Sequence, residues 1–226
     1  MAKLRLGVIA GQASGSLGST VFSHNRGGPY ARLRAVPTTV TSPWALATKA
    51  YLSEQSQQWA ALTDAQRQAW NNWADNNPIT DRLGDKRIMT GHQAFIKLTT
   101  RQRRSESATL TDPPTGARPA AVTSFTIAGD STAGTVTATY SNLPSGMKPW
   151  LYMTQVDSTG ITYVENLLRL CAIGAADEAS PWDVTTEFTD RFGTITEDNV
   201  IHAALFVYDS STGLLSARLT DSAVIT

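Results

Sequence analysis

The residues that come closest to a cofactor-binding pattern are the glycines near the N-terminus. Residues 11–19 have the sequence GQASGSLGS, and the backbone amides of glycine-rich loops can surround a phosphate group. This stretch lacks the Lys-Ser/Thr ending of a Walker A loop, and it lacks the strand–GxGxxG–helix context of a dinucleotide site. The glycines therefore do not predict a nucleotide site.

Other side chains that could do chemistry are scattered along the chain. His24, His92 and His202 fall in three different regions with no partner at metal-ligand spacing, so we expect a surface or capping role for each. Cys171 is the one cysteine and lies in an apolar run, which favours a buried, inert thiol. Most acidic residues of the second half occur singly in turns. We therefore predict no catalytic residue, no metal ligand, no cofactor and no enzymatic activity.

Charge is divided unequally between the two halves of this neutral chain. Residues 1–106 carry 14 Lys and Arg against 6 Asp and Glu, a balance of +8. Residues 107–226 carry 5 against 13, a balance of −8. The division coincides with a change in sequence pattern, and the basic half is expected to face an acidic partner surface.

The first 53 residues contain no Asp or Glu and are rich in Gly and Ser. Such a segment can bury little apolar surface of its own, yet it carries spaced apolar residues such as Phe22. We interpret residues 1–41 as an extended basic arm that becomes ordered on another macromolecule. The residues expected to bind that partner are Phe22, Arg26, Tyr30, Arg32 and Arg34.

Residues 42–105 are predicted to be mostly helical. Ser42-Pro43 resembles a helix start, with Pro at the first helical position. Thr63 and Thr90 are each followed three residues later by Gln, which is the pattern of a capping box. Residues 76–78 (NNP) are expected to end the second helix, and residues 79–87 to form a hairpin-like loop.

Tryptophans are concentrated in this helical region, and they include Trp59 and Trp70. Aromatic side chains of a small helical region usually form its core. They are also enriched in protein interfaces, so Trp59 and Trp70 are candidates for partner binding as well.

The remaining residues predict a separate β-rich region. Residues 106–120 are rich in Pro and are interpreted as a linker. Residues 121–226 alternate β-rich runs with turns, and the runs are predicted at 122–127, 135–140, 150–156, 161–171, 200–208 and 214–225. Such spacing favours an antiparallel sandwich of the immunoglobulin or fibronectin kind, with a jelly-roll-like arrangement as the alternative. The predicted fold class is α+β, with several domains, and a helical turn is expected within residues 180–193.

Three stretches of the chain resemble a group of structural proteins encoded by tailed phages and prophages. They are residues 14–32 (SGSLGSTVFSHNRGGPYAR), 58–70 (QWAALTDAQRQAW) and 83–95, which includes MTGHQAF. Shorter matches are the Asp-Pro-Pro at 112–114, the Arg-Phe-Gly at 191–193 and the hairpin sequence VYDSSTG at 207–213.

The resemblance implies a non-enzymatic component of a phage particle. A capsid decoration or cement protein, fastened to the head lattice by the arm, is the leading expectation, and a tail, baseplate or head–tail joining component is the alternative. The expected partners are the major capsid protein or another virion protein, together with further copies of the chain in a trimer or dimer. A nucleic-acid-binding role for the basic half is the second alternative and is disfavoured.

The expected location is the virion, after synthesis in the host cytoplasm. No segment approaches the roughly 20 apolar residues needed to cross a bilayer. The apolar patch near the N-terminus is too short for the core of a signal peptide. No membrane partner is therefore expected.

Overall fold

A computed structural model of the chain shows an α+β protein with its main helices in the middle of the sequence. The structure describes residues 2–3, 13–26, 28–36, 39, 42–80 and 84–226. Four helices are present in this part of the chain: α1 (Pro43–Ala61), α2 (Asp64–Asn76), α3 (Gly91–Arg104) and α4 (Thr185–Phe192). The strands that flank them pair antiparallel.

The N-terminal region forms a small antiparallel sheet, which we call the N-terminal sheet. Its strands are β1 (Ala2–Lys3), β2 (Gly15–Leu17), β3 (Thr20–Asn25) and β4 (Gly28–Leu33). They lie in the order β1-β4-β3-β2. Residues 4–12 and most of 37–41, which belong to the predicted arm, lie outside the described residues.

The prediction of an extended arm does not include the pairing of residues 15–17, 20–25 and 28–33 as strands of one sheet. Gly18 has a φ of 58° and stands first in the two-residue loop that joins β2 to β3. A glycine in the left-handed region suits the tight loops of hairpins. Gly28, with a φ of 102°, follows the turn between β3 and β4. Gly18 and Gly28 therefore lie at or beside the turns that reverse the chain direction.

The local signals for the middle helices are confirmed. Thr63 accepts a hydrogen bond from the Gln66 amide, and the Gln66 side chain in turn accepts from the Thr63 amide. Thr90 and Gln93 form the same reciprocal box at the start of α3. Helix α2 ends at Asn76, as residues 76–78 predicted.

The predicted start of α1 is also present, although Ser42 makes no side-chain capping hydrogen bond. The loop between α2 and α3 contains the expected hairpin, formed by β5 (Ile79–Thr80) and β6 (Lys86–Arg87). Residues 81–83 of this loop lie outside the described part of the chain.

The helices enclose a hydrophobic cluster of their own. Trp70 and Phe95 are fully buried at its centre, with ring centroids 5.4 Å apart in an edge-to-face arrangement. Leu214, from the C-terminal region, joins the same cluster. The helices therefore share apolar packing with the sheets that follow them.

The C-terminal region consists of two antiparallel sheets. Its strands are β7 (Phe125–Asp130), β8 (Thr135–Tyr140), β9 (Lys148–Val156), β10 (Arg169–Ile173), β11 (Trp182–Asp183), β12 (Val200–Tyr208) and β13 (Leu219–Val224). One sheet has the order β10-β9-β12-β13 and the other β11-β8-β7. Helix α4 falls within the predicted helical turn.

Two of the predicted strands are much shorter than expected. The run at 161–171 becomes a strand only at Arg169, because residues 164–168 form a turn. The amides of Leu167 and Leu168 both donate to the Val164 carbonyl, at 2.8 and 3.1 Å. The run at 214–225 becomes a strand only at Leu219.

The two C-terminal sheets share one hydrophobic core. In β7, Phe125 and Ile127 point inward while Thr126 between them is exposed. They belong to the same cluster as Leu151, Ile201 and Leu205 of the other sheet. The sheets also meet at their edges, where the Asp221 carboxylate accepts a hydrogen bond from the Ile127 amide at 2.9 Å.

The opposite face of β9 and β12 is covered as well, since buried residues occur on both faces of these strands. This outer face carries the aromatic side chains of Trp150, Tyr152, Phe206 and Tyr208. The end of α3 approaches it, and the Lys148 ammonium donates to the Ser105 carbonyl at 2.8 Å. The β9–β12 pair therefore lies between the helices and the second sheet.

A loop at residues 209–213 completes the contact between α3 and the sheets. Gly213 has a φ of 71°, and a β-carbon added there would lie 3.2 Å from the Leu98 carbonyl oxygen and 3.3 Å from the Leu98 β-carbon. Arg101 and Gln102 donate to the carbonyls of Gly213 and Ser210, each at 3.4 Å. Close backbone approach therefore requires glycine at this position.

We expect Gly213→Ala to destabilise the protein more than Gly146→Ala does. Gly146 also has a positive φ, of 75°, but no atom lies within 4 Å of a β-carbon built there. Alanine at either position adds backbone strain of about 1–2 kcal/mol, and only at Gly213 does it also press on Leu98. Urea denaturation of both variants measures the difference, and equal losses of unfolding free energy would contradict the close packing of α3.

Candidate attachment surface

The N-terminal sheet has two chemically different faces. Directly paired residues of neighbouring strands share a face, and the register aligns Phe22 with Ala31 and Leu17 with Thr20 and Leu33. We call this side the apolar face, and it includes Leu17, Phe22, Ala31 and Leu33. Val21, Ser23, Tyr30 and Arg32 lie on the other side, which we call the basic face. The strand pairing therefore places Arg32 on the side opposite Leu17, Phe22 and Leu33.

The apolar face lacks a cover within the described part of the chain. Leu17 is 76% exposed and Leu33 is 75% exposed, and Val36, which follows the sheet, is 81% exposed. Neither of the two hydrophobic clusters includes a described residue of this sheet. Leu17 and Leu33 flank Thr20 on this face, and exposed apolar residues grouped on one face of a small sheet favour an interaction surface.

The five predicted partner-binding residues of the arm all lie in or beside this sheet, but not on one face. Phe22 and Tyr30 are half-buried on opposite sides, and Arg32 is exposed on the basic face. Arg26 is exposed in the turn between β3 and β4, and Arg34 is exposed just beyond β4. The Arg34 amide donates to the Ser19 carbonyl at 2.7 Å and so extends the β3–β4 pairing.

The charges of this surface have a single sign. The first 53 residues contain no Asp or Glu, so Arg26, Arg32 and Arg34 have no acidic neighbour along the chain. Complementary potentials steer association and select partners. The basic face and the turn are thus suited to an acidic surface.

Trp59 and Trp70, the two tryptophans predicted to bind a partner, occupy different environments. Trp70 is fully buried, and its indole N–H donates to the Thr111 carbonyl at 2.9 Å. It leaves no surface for a partner, so the core interpretation applies to this ring. Trp59 is half-buried and packs against His92 and Phe95, with centroid distances of 5.3 and 5.5 Å. Trp59 lies on α1, which is not part of the N-terminal sheet.

The groups that could do chemistry lie apart in the described residues. Cys171 is buried, and burial, followed by the nearby Glu187 carboxylate, raises the pKa of its thiol to about 12. It is therefore protonated at neutral pH and a poor nucleophile. His92 packs on Trp59, while His202 lies in β12.

No cluster of three or more His, Cys, Asp or Glu side chains within the described ranges could hold a metal ion. Among the helices of the same ranges, none is long and apolar enough to cross a bilayer. Comparison of the chain with protein-family models, with curated proteins and with solved structures finds no match.

We expect deletion of residues 1–41 to leave the rest of the protein folded, because neither hydrophobic cluster includes any described residue of that segment. The melting temperature should fall by no more than about 2 °C, a shift equivalent to about 0.5–1 kcal/mol for a protein of this size. Differential scanning calorimetry of the full and truncated chains measures it. Aggregation or loss of the cooperative transition on truncation would show that the N-terminal sheet belongs to the protein's own core.

Proposed function

We propose that this chain is a non-enzymatic structural protein of a tailed-phage particle, and specifically a capsid decoration or cement protein. The observation that carries the proposal is the N-terminal sheet, whose apolar face has no cover among the described residues and whose sequence carries only cationic charges. In this role the sheet binds the head lattice through the major capsid protein or another virion protein. The resemblance of residues 14–32 and 58–70 to phage structural proteins supports the same assignment.

The sheet offers two modes of attachment. Leu17, Phe22 and Leu33 present apolar surface that a groove between capsid subunits could cover, which favours binding through removal of water. Strand β2 is at the edge of the sheet among the described strands, so its outer side could add to a strand of the partner. Arg26, Arg32 and Arg34 would then meet acidic groups of the lattice.

In the proposed role, the N-terminal sheet attaches the helical and C-terminal regions to the particle. In this proposal the C-terminal region is an immunoglobulin- or fibronectin-like sandwich that projects outward, with a jelly-roll-like arrangement as the alternative. Its support is the single core shared by two antiparallel sheets. The balance of −8 over residues 107–226 would keep the projecting surface soluble and repel the bodies of neighbouring copies.

Repeated copies on a symmetric lattice would favour a trimer or dimer, because several weak attachments to linked sites gain avidity. In the first alternative the protein is also a virion component, but it lies in the tail, the baseplate or the head–tail junction. The second, a nucleic-acid-binding structural protein, would use the basic half. The latter requires binding to DNA that weakens steeply with salt.

Copy number distinguishes the two virion positions. A cement protein should be present in hundreds of copies per particle, because it occupies every equivalent site of the lattice. Quantitative mass spectrometry of purified particles, referenced to the major capsid protein, measures this ratio. A value of about six or twelve copies, set by the symmetry of a tail or connector, would contradict the cement role and favour the alternative.

We expect the double variant Leu17→Ser/Leu33→Ser to bind particles at least about tenfold more weakly than the natural chain. Removing two exposed leucines from the apolar face reduces the apolar area that the partner can cover, and about 1.4 kcal/mol corresponds to that factor. Leu46→Ser/Leu52→Ser is the matched control, since these leucines are 49% and 44% exposed on α1. Co-sedimentation with particles that lack the protein measures binding.

Equal binding by the two double variants would contradict attachment through the apolar face. A filter-binding assay with double-stranded DNA at low salt tests the second alternative separately. Absence of affinity there removes it, whereas salt-sensitive DNA binding that Arg32→Gln weakens would favour it over the proposed role.

A further inference from the structure

A second feature lies far from the N-terminal sheet, at the junction of the helices and the C-terminal sheets. It is a cleft of about 260 Å³ bounded by α2, α3, residues 116–118, the end of β12 and residues 214–216. Clefts between packed units are common places for small ligands. Its volume is below the range of sites for drug-sized molecules, so only a small ligand fits.

The cleft is lined by both apolar and polar groups, and most of its polar side chains are cations. Trp73, Met89, Phe206 and Leu215 contribute apolar surface. Three basic side chains also line it, and no Asp or Glu does so among the described residues. These are Lys97, Arg101 and Arg118.

The three cations lack a compensating anion in the described part of the chain. Arg101 donates to the Gly213 carbonyl at 3.4 Å, which neutralises no charge. Neither Lys97 nor Arg118 makes a hydrogen bond or ion pair there. Lys97 and Arg101 are four residues apart on α3, a spacing at which like charges repel.

The environment of Lys97 reflects this arrangement. Burial lowers the pKa of its ammonium group, and the neighbouring charges of Arg101 and Arg118 lower it further. Burial also lowers the pKa of Arg101. Partly buried like charges destabilise a fold, and local conflicts of this kind are expected where a site serves function.

We propose that this cleft binds a small organic anion, with its carboxylate or phosphate group held by Lys97, Arg101 and Arg118 and its apolar part against Trp73, Met89 and Phe206. Guanidinium groups bind planar carboxylates and phosphates through paired hydrogen bonds. An anion there would neutralise the mutual repulsion of the three cations. It would also tie α3 to residues 116–118 and stabilise the junction.

The site is independent of the attachment role proposed above. It uses none of the residues of the N-terminal sheet, and loss of one function would leave the other intact. Lys97 and Arg101 come from α3, while Arg118 comes from the predicted linker at 106–120. The three therefore meet only when the helices pack on the sheets.

The test uses the full chain with phenyl phosphate and benzoate as anionic probes and benzyl alcohol as a neutral probe of similar size. An anion that binds only the folded protein raises its melting temperature with concentration. We expect at least one anionic probe to raise it at about 10 mM, and benzyl alcohol to have no such effect. Stronger binding of phenyl phosphate would assign a phosphate ester, and stronger binding of benzoate a carboxylate.

Two variants connect the effect to the cleft. Lys97→Met and Arg118→Gln should each weaken binding at least about tenfold, measured by isothermal titration calorimetry. Lys49→Met is the matched control, because Lys49 is exposed on α1 and its loss changes the net charge equally. Without ligand, Lys97→Met should be at least as stable as the natural chain. Arg118 is exposed, so Arg118→Gln keeps the test valid if Lys97→Met does not fold.

Three results would overturn the proposal. One is the absence of any thermal shift with both anions. The second is an equal shift with benzyl alcohol, which would show apolar binding without charge recognition. The third is unchanged affinity in both Lys97→Met and Arg118→Gln, which would place the anion elsewhere.

Discussion

The structure depends on the packing of one helix, α3, against two different neighbours. On one side Phe95 and Leu98 pack with Trp70 in the helical cluster, and on the other Leu98 meets the backbone of Gly213. Because Leu214 joins the same cluster, helices and sheets cannot separate without exposing apolar surface. The linker is held too, since the Gln102 side chain accepts from the Leu110 amide at 3.0 Å. The middle and C-terminal regions thus act as one packed body.

The described residues of the N-terminal sheet lie outside this packing, and that contrast is the basis of the functional account. A four-stranded sheet without a hydrophobic core has little stability of its own. Covering its apolar face supplies the missing burial, so partner binding and sheet stability are coupled. The absence of acidic residues from the first 53 positions gives this stretch a purely cationic charge that suits an acidic partner. A packed body with a separate binding sheet is what an attachment protein requires.

Much of this fold could be predicted from local sequence signals, and the exceptions have physical causes. The Thr63 and Thr90 capping boxes fix helix starts because every group involved lies within three residues. The 161–171 run is predicted as one strand because its apolar residues fit a strand pattern. Its first part is instead a turn, which is formed by backbone hydrogen bonds to the Val164 carbonyl that side-chain patterns do not reveal. In the arm, the Gly- and Ser-rich composition indicates flexibility, and composition alone does not show that Gly18 and Ser19 form a hairpin loop.

The candidate sites, too, could be predicted only in part from the sequence. Arg26, Arg32 and Arg34 could be chosen from the sequence because their charge has no nearby acid. Their separation from Phe22 onto different faces required the strand register. The cleft could be anticipated only in part: the spacing of Lys97 and Arg101 is visible in the sequence, whereas the approach of Arg118 depends on how the linker packs.

The central claim is that the N-terminal sheet is the surface through which the protein attaches to the particle. Hydrogen exchange of the amides in residues 13–36, followed by mass spectrometry on the free chain and on purified particles, tests it most directly. The account predicts rapid exchange in the free chain and strong protection on the particle, with little change in β9 and β12. Equal exchange of residues 13–36 in both states would contradict it.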